Sequence, residues 1–101
     1  VVRSGRAGRD LDDIFDHTAR QWGADRAERY LRELDAACQR LAEYPLLGSA
    51  ADLVRPGYRR LTSGRHVIYY RVHPDEVLIV RVLHQRMDAG RHFSDVHAEG
   101  D

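Results

Sequence analysis

The sequence predicts an α+β fold: an antiparallel helical hairpin packed on one face of a small, mainly antiparallel β-sheet. Three observations lead to it. Apolar residues recur at helical spacing from Ala7 to Ala42, with a glycine near the middle. From Tyr58 to Leu83 the chain changes to short apolar runs, each ended by a turn signal. At 101 residues there is material for one hydrophobic core and one domain.

Val1-Val2-Arg3 is long enough only for the end of an edge strand. Ser4 is placed to cap a helix over about 5–22, because its hydroxyl can take an N–H that the first turn leaves unpaired. Ala7, Leu11, Ile14, Phe15, Thr18, Ala19 and Trp22 form the apolar stripe of that helix. Asp10, Asp12, Asp13 and Asp16 load its early turns with negative charge, which suits a helix N-terminus. Gly23 is its stop, since glycine takes the left-handed conformation at little cost.

A second helix is expected over about 25–44, with Ala27, Tyr30, Leu31, Leu34, Ala37, Cys38, Leu41 and Ala42 on one face. Asp25/Arg29 and Glu28/Arg32 form acid-first pairs on its exposed side, and Pro45 ends it. The link around Gly23 is so short that the helices must turn back antiparallel.

An irregular loop then runs from Pro45-Leu46-Leu47-Gly48 to Arg55-Pro56-Gly57. Strands over about 58–62, 65–72 and 77–83 follow, divided by Ser63-Gly64 and by His73-Pro74-Asp75-Glu76, so they form a meander. In the second, Ile68, Tyr70 and Val72 share one face, and Val67, Tyr69 and Arg71 the other. The third is apolar on both faces except at Arg81, which places it inside the sheet. Two helices cover one face only. The other, partly apolar and carrying arginine, is expected to be solvated or to seat a partner. The domain is expected over 1–93, and the acidic stretch 94–101 reads as a tail open to disorder.

Hydrophobic residues make up 43% and charged residues 32%, the balance of a soluble globular domain, and no segment has the length of a membrane span. No basic-plus-apolar leader opens the chain, so a cytoplasmic protein is expected; a start at Val1 reads as trimmed or incomplete. Cys38 is the only cysteine, which excludes an internal disulfide and places an inert thiol on a buried helix face. Net charge is zero but unevenly spread. Between Arg55 and Arg91 eight arginines face three carboxylates, and every basic residue of the chain is arginine. Arginine pairs bidentately with carboxylate and phosphate, so this half suits nucleic acid or an acidic protein segment.

Motifs exclude several chemistries. There is no P-loop, no dinucleotide fingerprint, no Cys-x-x-Cys and no His-Glu-x-x-His, so no cofactor is expected. His84, His92 and His97 lie close in sequence, but their spacing matches no standard metal pattern. Neither helix has a polar, basic face for the major groove, so direct sequence-specific DNA reading is not expected. Two readings stay open. Metal-free RNA cleavage needs proton carriers and phosphate-binding cations, for which His66, His84 or His92 and Arg59, Arg60, Arg65, Arg71, Arg81 and Arg86 are available. Protein binding needs a half-covered sheet with arginine and tyrosine, the residue types enriched at interface hot spots.

The ordered set of residues resembles one known family. Asp10-Leu11 to Ile14-Phe15, Gly23, Ala27, Tyr30-Leu31, Leu41-Ala42, Pro45 and Gly48 carry the helical part. Pro56-Gly57-Tyr58-Arg59-Arg60-Leu61, Gly64-Arg65-His66-Val67-Ile68-Tyr69-Tyr70-Arg71 and Arg81-Val82-Leu83-His84-Gln85-Arg86-Met87-Asp88 carry the sheet. Together they resemble the RelE/ParE toxin superfamily, more closely its ParE branch, up to about Phe93. The resemblance implies the toxin of a type II toxin–antitoxin pair: a non-enzymatic inhibitor of DNA gyrase, neutralised by a ParD-like antitoxin that lays an amphipathic helix and an extended segment over it. A ribosome-dependent mRNA interferase of the RelE kind, or an antitoxin-binding homologue without toxicity, is the alternative. The segment Arg86-Met87-Asp88 to Arg91-His92-Phe93 lacks the terminal tyrosine and the lysines of the nucleases. Arg81, His84, Arg86, Met87 and Arg91 are the expected contacts to the target, because they lie just outside the apolar pattern. Tyr58, Arg60, Arg65 and Arg71 are the expected contacts to the antitoxin, the arginines pairing with its carboxylates.

Overall fold

The computed structural model of the chain describes the backbone of residues 1–98, and side chains through Phe93. The expected hairpin and meander are present: β1 Val2–Arg3, α1 Gly5–Trp22, α2 Ala24–Glu43, β2 Ser49–Ala50, β3 Arg59–Ser63, β4 His66–Val72, β5 Val77–His84 and α3 Ala89–Ala98. The sheet order is β1-β5-β4-β3-β2. Only the β1–β5 pair is parallel; the others are antiparallel. β5 lies inside the sheet, as its two apolar faces require.

Ser4 caps α1 as its chemistry suggests. Its Oγ accepts from the Ala7 N–H at 3.0 Å, and its hydroxyl donates to the Val80 carbonyl at 2.6 Å. Gly23 departs from the expected left-handed stop. Its φ is 93° but its ψ is 161°, an extended conformation on the positive-φ side. It joins the helices directly: its N–H donates to Ala19 O and its carbonyl accepts from Ala27 N–H. No acidic residue falls in the first turn of α1, so Asp10 is too far along to act on the helix terminus.

One core lies between the hairpin and the sheet. Ala7, Leu11 and Ile14 of α1 and Leu34, Ala37, Cys38 and Leu41 of α2 pack on Ile68, Tyr70, Val77, Ile79 and Val82. Burial there pushes the Cys38 thiol up to about 11, so it stays protonated and unreactive at neutral pH. Trp22, expected on this stripe, instead stands 58% exposed at the end of α1. The opposite sheet face is also more enclosed than expected. Ala51, Tyr58, Val67, Tyr69, Val80, Leu83 and Phe93 form a second core, closed by the 51–58 loop and by α3. Phe93 stands edge-on to both Tyr58 and Tyr69, with centroids 5.0 Å away in each case. The stretch expected as a tail from residue 94 continues α3 as helix through Ala98; residues 99–101 lie outside the described residues.

The crossing loop, expected to be irregular, contributes the short edge strand β2. It is pinned by Tyr70, whose hydroxyl donates to Pro45 O at 2.8 Å and accepts from Gly48 N–H at 3.0 Å. Arg59 completes the knot by donating to Gly48 O at 2.6 Å.

Candidate functional site

The site begins with an irregularity in β5. Tyr69 pairs with Arg81 and Tyr70 with Ile79, so Val80 is an extra residue, a β-bulge. β1 pairs with β5 only as far as Ile79, so beyond it that side of β5 has no strand partner, and Ser4 and Asp10 supply partners instead. Val80 O accepts from the Ser4 hydroxyl, and Val82 N–H donates to Asp10 Oδ2 at 3.0 Å. The same carboxylate takes Arg81 in a fork: Nε to Oδ2 at 2.8 Å and Nη2 to Oδ1 at 2.9 Å. Arg81 Nη1 also donates to His92 O at 3.3 Å, tying in α3. Arg81 is only 7% exposed. It was expected among the target contacts, as a residue the core does not need. The bulge makes it structural instead: a buried cation must be paired, and Asp10 pairs it.

Beyond the bulge, β5 ends at His84 and a turn carries Arg86 and Met87 outward. His84 is half-buried, while Arg86 and Arg91 are exposed and Met87 is 48% exposed. The turn is held by Gln85 N–H on Arg65 O and Met87 N–H on His84 O, both at 2.9 Å. The structure thus gathers His84, Arg86 and Met87 at one end of the sheet and places Arg91 on α3.

The residues expected to meet the antitoxin are spread out. Tyr58 is 1% exposed, so it supports rather than contacts: the guanidiniums of Arg71 and Arg55 lie over its ring at 5.5 and 5.9 Å. It is buried because Phe93 and the 51–58 loop close over the sheet there. Arg60 is exposed on β3, opposite Tyr69 and beside the β2 edge. Arg65 is exposed in the β3–β4 turn, while half-buried Arg71 sits near the far end of β4.

A groove runs between α1 and the ends of β4 and β5, and sequence reasoning missed it. One half, about 330 Å³, is lined by His17, Gln21, Trp22, Arg26, Arg65 and His66, among others. The other half, about 410 Å³, continues past His84 to Met87 and His92. Ile14, His17, His66 and His84 line both halves. At the centre, Tyr30 Oη accepts from Arg65 N–H at 3.1 Å and lies 2.5 Å from His66 Nδ1. The Tyr30 hydroxyl and the imidazole thus share one hydrogen bond, donated by the phenol's hydrogen or by the ring's Nδ1–H according to the tautomer. Burial raises the Tyr30 pKa, which keeps the phenol protonated. Burial chiefly, and then neighbouring His84 and His17, push His66 down to about 4, so its ring is neutral at physiological pH. His84 stands edge-on to it at 5.3 Å, with its own Nδ1 accepting from Arg86 N–H at 3.1 Å. Gly64 fits this centre because its φ is 58° and a Cβ there would meet the Tyr30 ring at 2.8 Å. Among the described residues no cluster of three or more His, Cys, Asp or Glu is placed to hold a metal; the His97 side chain lies outside them.

The chain compares closely with known proteins. Residues 1–89 match the family model described as the ParE toxin of the type II toxin–antitoxin system parDE. It is 50% identical to Toxin ParE1 of Mycobacterium tuberculosis over 84 residues, covering 82% of this chain and 86% of that protein. It is 47% identical to Toxin ParE1 of Caulobacter vibrioides over 90 residues, covering 89% and 93%. A solved structure of the chromosomal ParDE system from P. aeruginosa superposes with a TM-score of 0.73 at 25% identity, over 81% of this chain and 90% of that one. The helical hairpin, the arginine-bearing meander and these matches agree: the chain belongs to the ParE toxin family of type II toxin–antitoxin systems.

Proposed function

We propose that this toxin is a non-enzymatic inhibitor of DNA gyrase, kept inactive by a ParD-like antitoxin. The observation that carries the reading is the family match across residues 1–89. The geometry adds support. Proton transfer is most efficient when the carrier's pKa lies near the working pH. His66, held near 4 with its Nδ1 taken by Tyr30, is poorly suited to that task. Arg81, a cation that phosphate chemistry would need, is held by Asp10. Both facts favour a binding protein over a nuclease. His84, Arg86, Met87 and Arg91 form the proposed contact to gyrase. A toxin acting on chromosomal DNA works in the cytoplasm, and no helix among the described residues is long and apolar enough to cross a membrane.

Arg60, Arg65 and Arg71 are the proposed partners of antitoxin carboxylates. Next to Arg60, the two-residue β2 edge is exposed, and Tyr44, Leu46 and Leu47 stand 62%, 72% and 47% exposed beside it. A sheet edge suits an extended segment, and an apolar shelf suits one face of an amphipathic helix. The test is partner-free protein in a gyrase supercoiling assay. Lost supercoiling, restored by the antitoxin, is the expected result. Normal supercoiling at high toxin excess, with cleavage of ribosome-bound mRNA, would replace gyrase by the ribosome.

A further inference from the structure

We propose that the groove between α1 and the ends of β4 and β5 binds a nucleotide unit, with the phosphate near Arg65, His66 and His84 and the base against Trp22. The proposal is independent of the gyrase reading. It starts from the two imidazoles. Tyr30 Oη hydrogen-bonds His66 Nδ1, and the Arg86 N–H donates to His84 Nδ1. His84, with its Nδ1 accepting, carries a hydrogen on Nε2. The two rings, with centroids 5.3 Å apart, line the same groove. Exposed Arg65 and Arg26 add fixed positive charge, and Thr18 and Gln21 add neutral polar groups. No carboxylate is among the residues lining this half. Asp10 and Asp13 line the other half, and Asp10 is already neutralised by Arg81. Such a wall, rich in donors and cations, suits an oxyanion.

The rest of the ligand is indicated by Trp22. Trp22 lines this half of the groove with 58% of its surface exposed, which offers an aromatic surface beside the cations. The Arg26 guanidinium lies over the ring, 4.7 Å from its centroid. An exposed indole is the kind of surface on which a planar, π-faced group stacks, as bases do on aromatic platforms. The free volume of about 330 Å³ is the size of a small-ligand site. A phosphate joined to a flat base satisfies both ends of the groove; an acidic peptide satisfies only the cationic end.

Trp22 is the only tryptophan, so its fluorescence reports directly on the site. The titration uses the full chain at low salt and neutral pH, against adenosine monophosphate, a short oligothymidine, inorganic phosphate and a short polyglutamate. Saturable quenching by the nucleotide or the oligonucleotide is expected. It should weaken by about tenfold or more in Arg65→Glu, and likewise in Gln21→Glu, since each puts a carboxylate where an anion must sit. Both positions are exposed, and circular dichroism of either variant reports whether the fold is kept. Tighter binding of the oligonucleotide identifies a nucleic-acid strand as the source; equal binding identifies a free nucleotide. Inorganic phosphate or polyglutamate binding as tightly as either would overturn the base-stacking site. So would the absence of any saturable change, or unchanged quenching in both variants.

Discussion

At the scale of single residues, Asp10 and Arg81 carry the largest consequence. Their side chains are 14% and 8% exposed, and the carboxylate holds both a guanidinium fork and the Val82 N–H. Asp10→Ala should therefore lower stability by about 3 kcal/mol, because removing one partner strands a buried charge. Urea denaturation measures this; a loss below about 1 kcal/mol would mean that water reaches Arg81 easily. The pair was not read from the sequence, which assigned Arg81 to the target surface. Arg81 is the one charge within an apolar strand, and burying it calls for a carboxylate partner. Asp10 lies three residues after Ala7 and four before Ile14, on the buried stripe of α1, yet its charge drew attention to the helix terminus instead. His66 makes the second residue-scale prediction. Its folded pKa, about 4, lies below the ordinary 6.5, so between these values the unfolded chain binds more protons. The stability held above 6.5 is thus lost as pH falls toward 4. His66→Gln should flatten that part of the pH–stability curve; an unchanged slope would assign the loss to other groups.

At the scale of elements, the helices and the three long strands were legible because each has a single period to read. Helical spacing marks α1 and α2, and alternation marks β4. The β5 bulge was hidden, since a strand apolar on both faces gives no sign when its parity shifts at Val80. β2 and α3 were hidden for another reason. β2 has two residues, and within the described side chains of α3 the one large apolar anchor is Phe93. Ser4 joins elements that look unrelated in sequence, capping α1 while satisfying the bulged Val80 carbonyl. Ser4→Ala removes both bonds and should cost about 2 kcal/mol, more than the roughly 1 kcal/mol typical of a cap alone. Chemical denaturation measures the loss, and Ser4→Thr, which keeps the hydroxyl for both bonds, should restore most of it.

At the scale of the whole molecule, two cores on opposite sheet faces leave two separate exposed surfaces. The β2 edge with Arg60 lies across the sheet from the β5 end with His84, Arg86 and Met87. The groove past Trp22 was beyond the reach of sequence reading, because residues from α1, α2, β4 and β5 meet there only after folding. We propose that toxicity resides in the exposed Arg86–Met87 segment, which the core does not need. Arg86→Glu combined with Met87→Ala, scored for trapped gyrase–DNA cleavage complexes, tests it most directly. The account predicts a loss of potency of about thirtyfold, as for truncation of a 2 kcal/mol hot spot, with stability and antitoxin affinity unchanged. Full potency in that variant would contradict it.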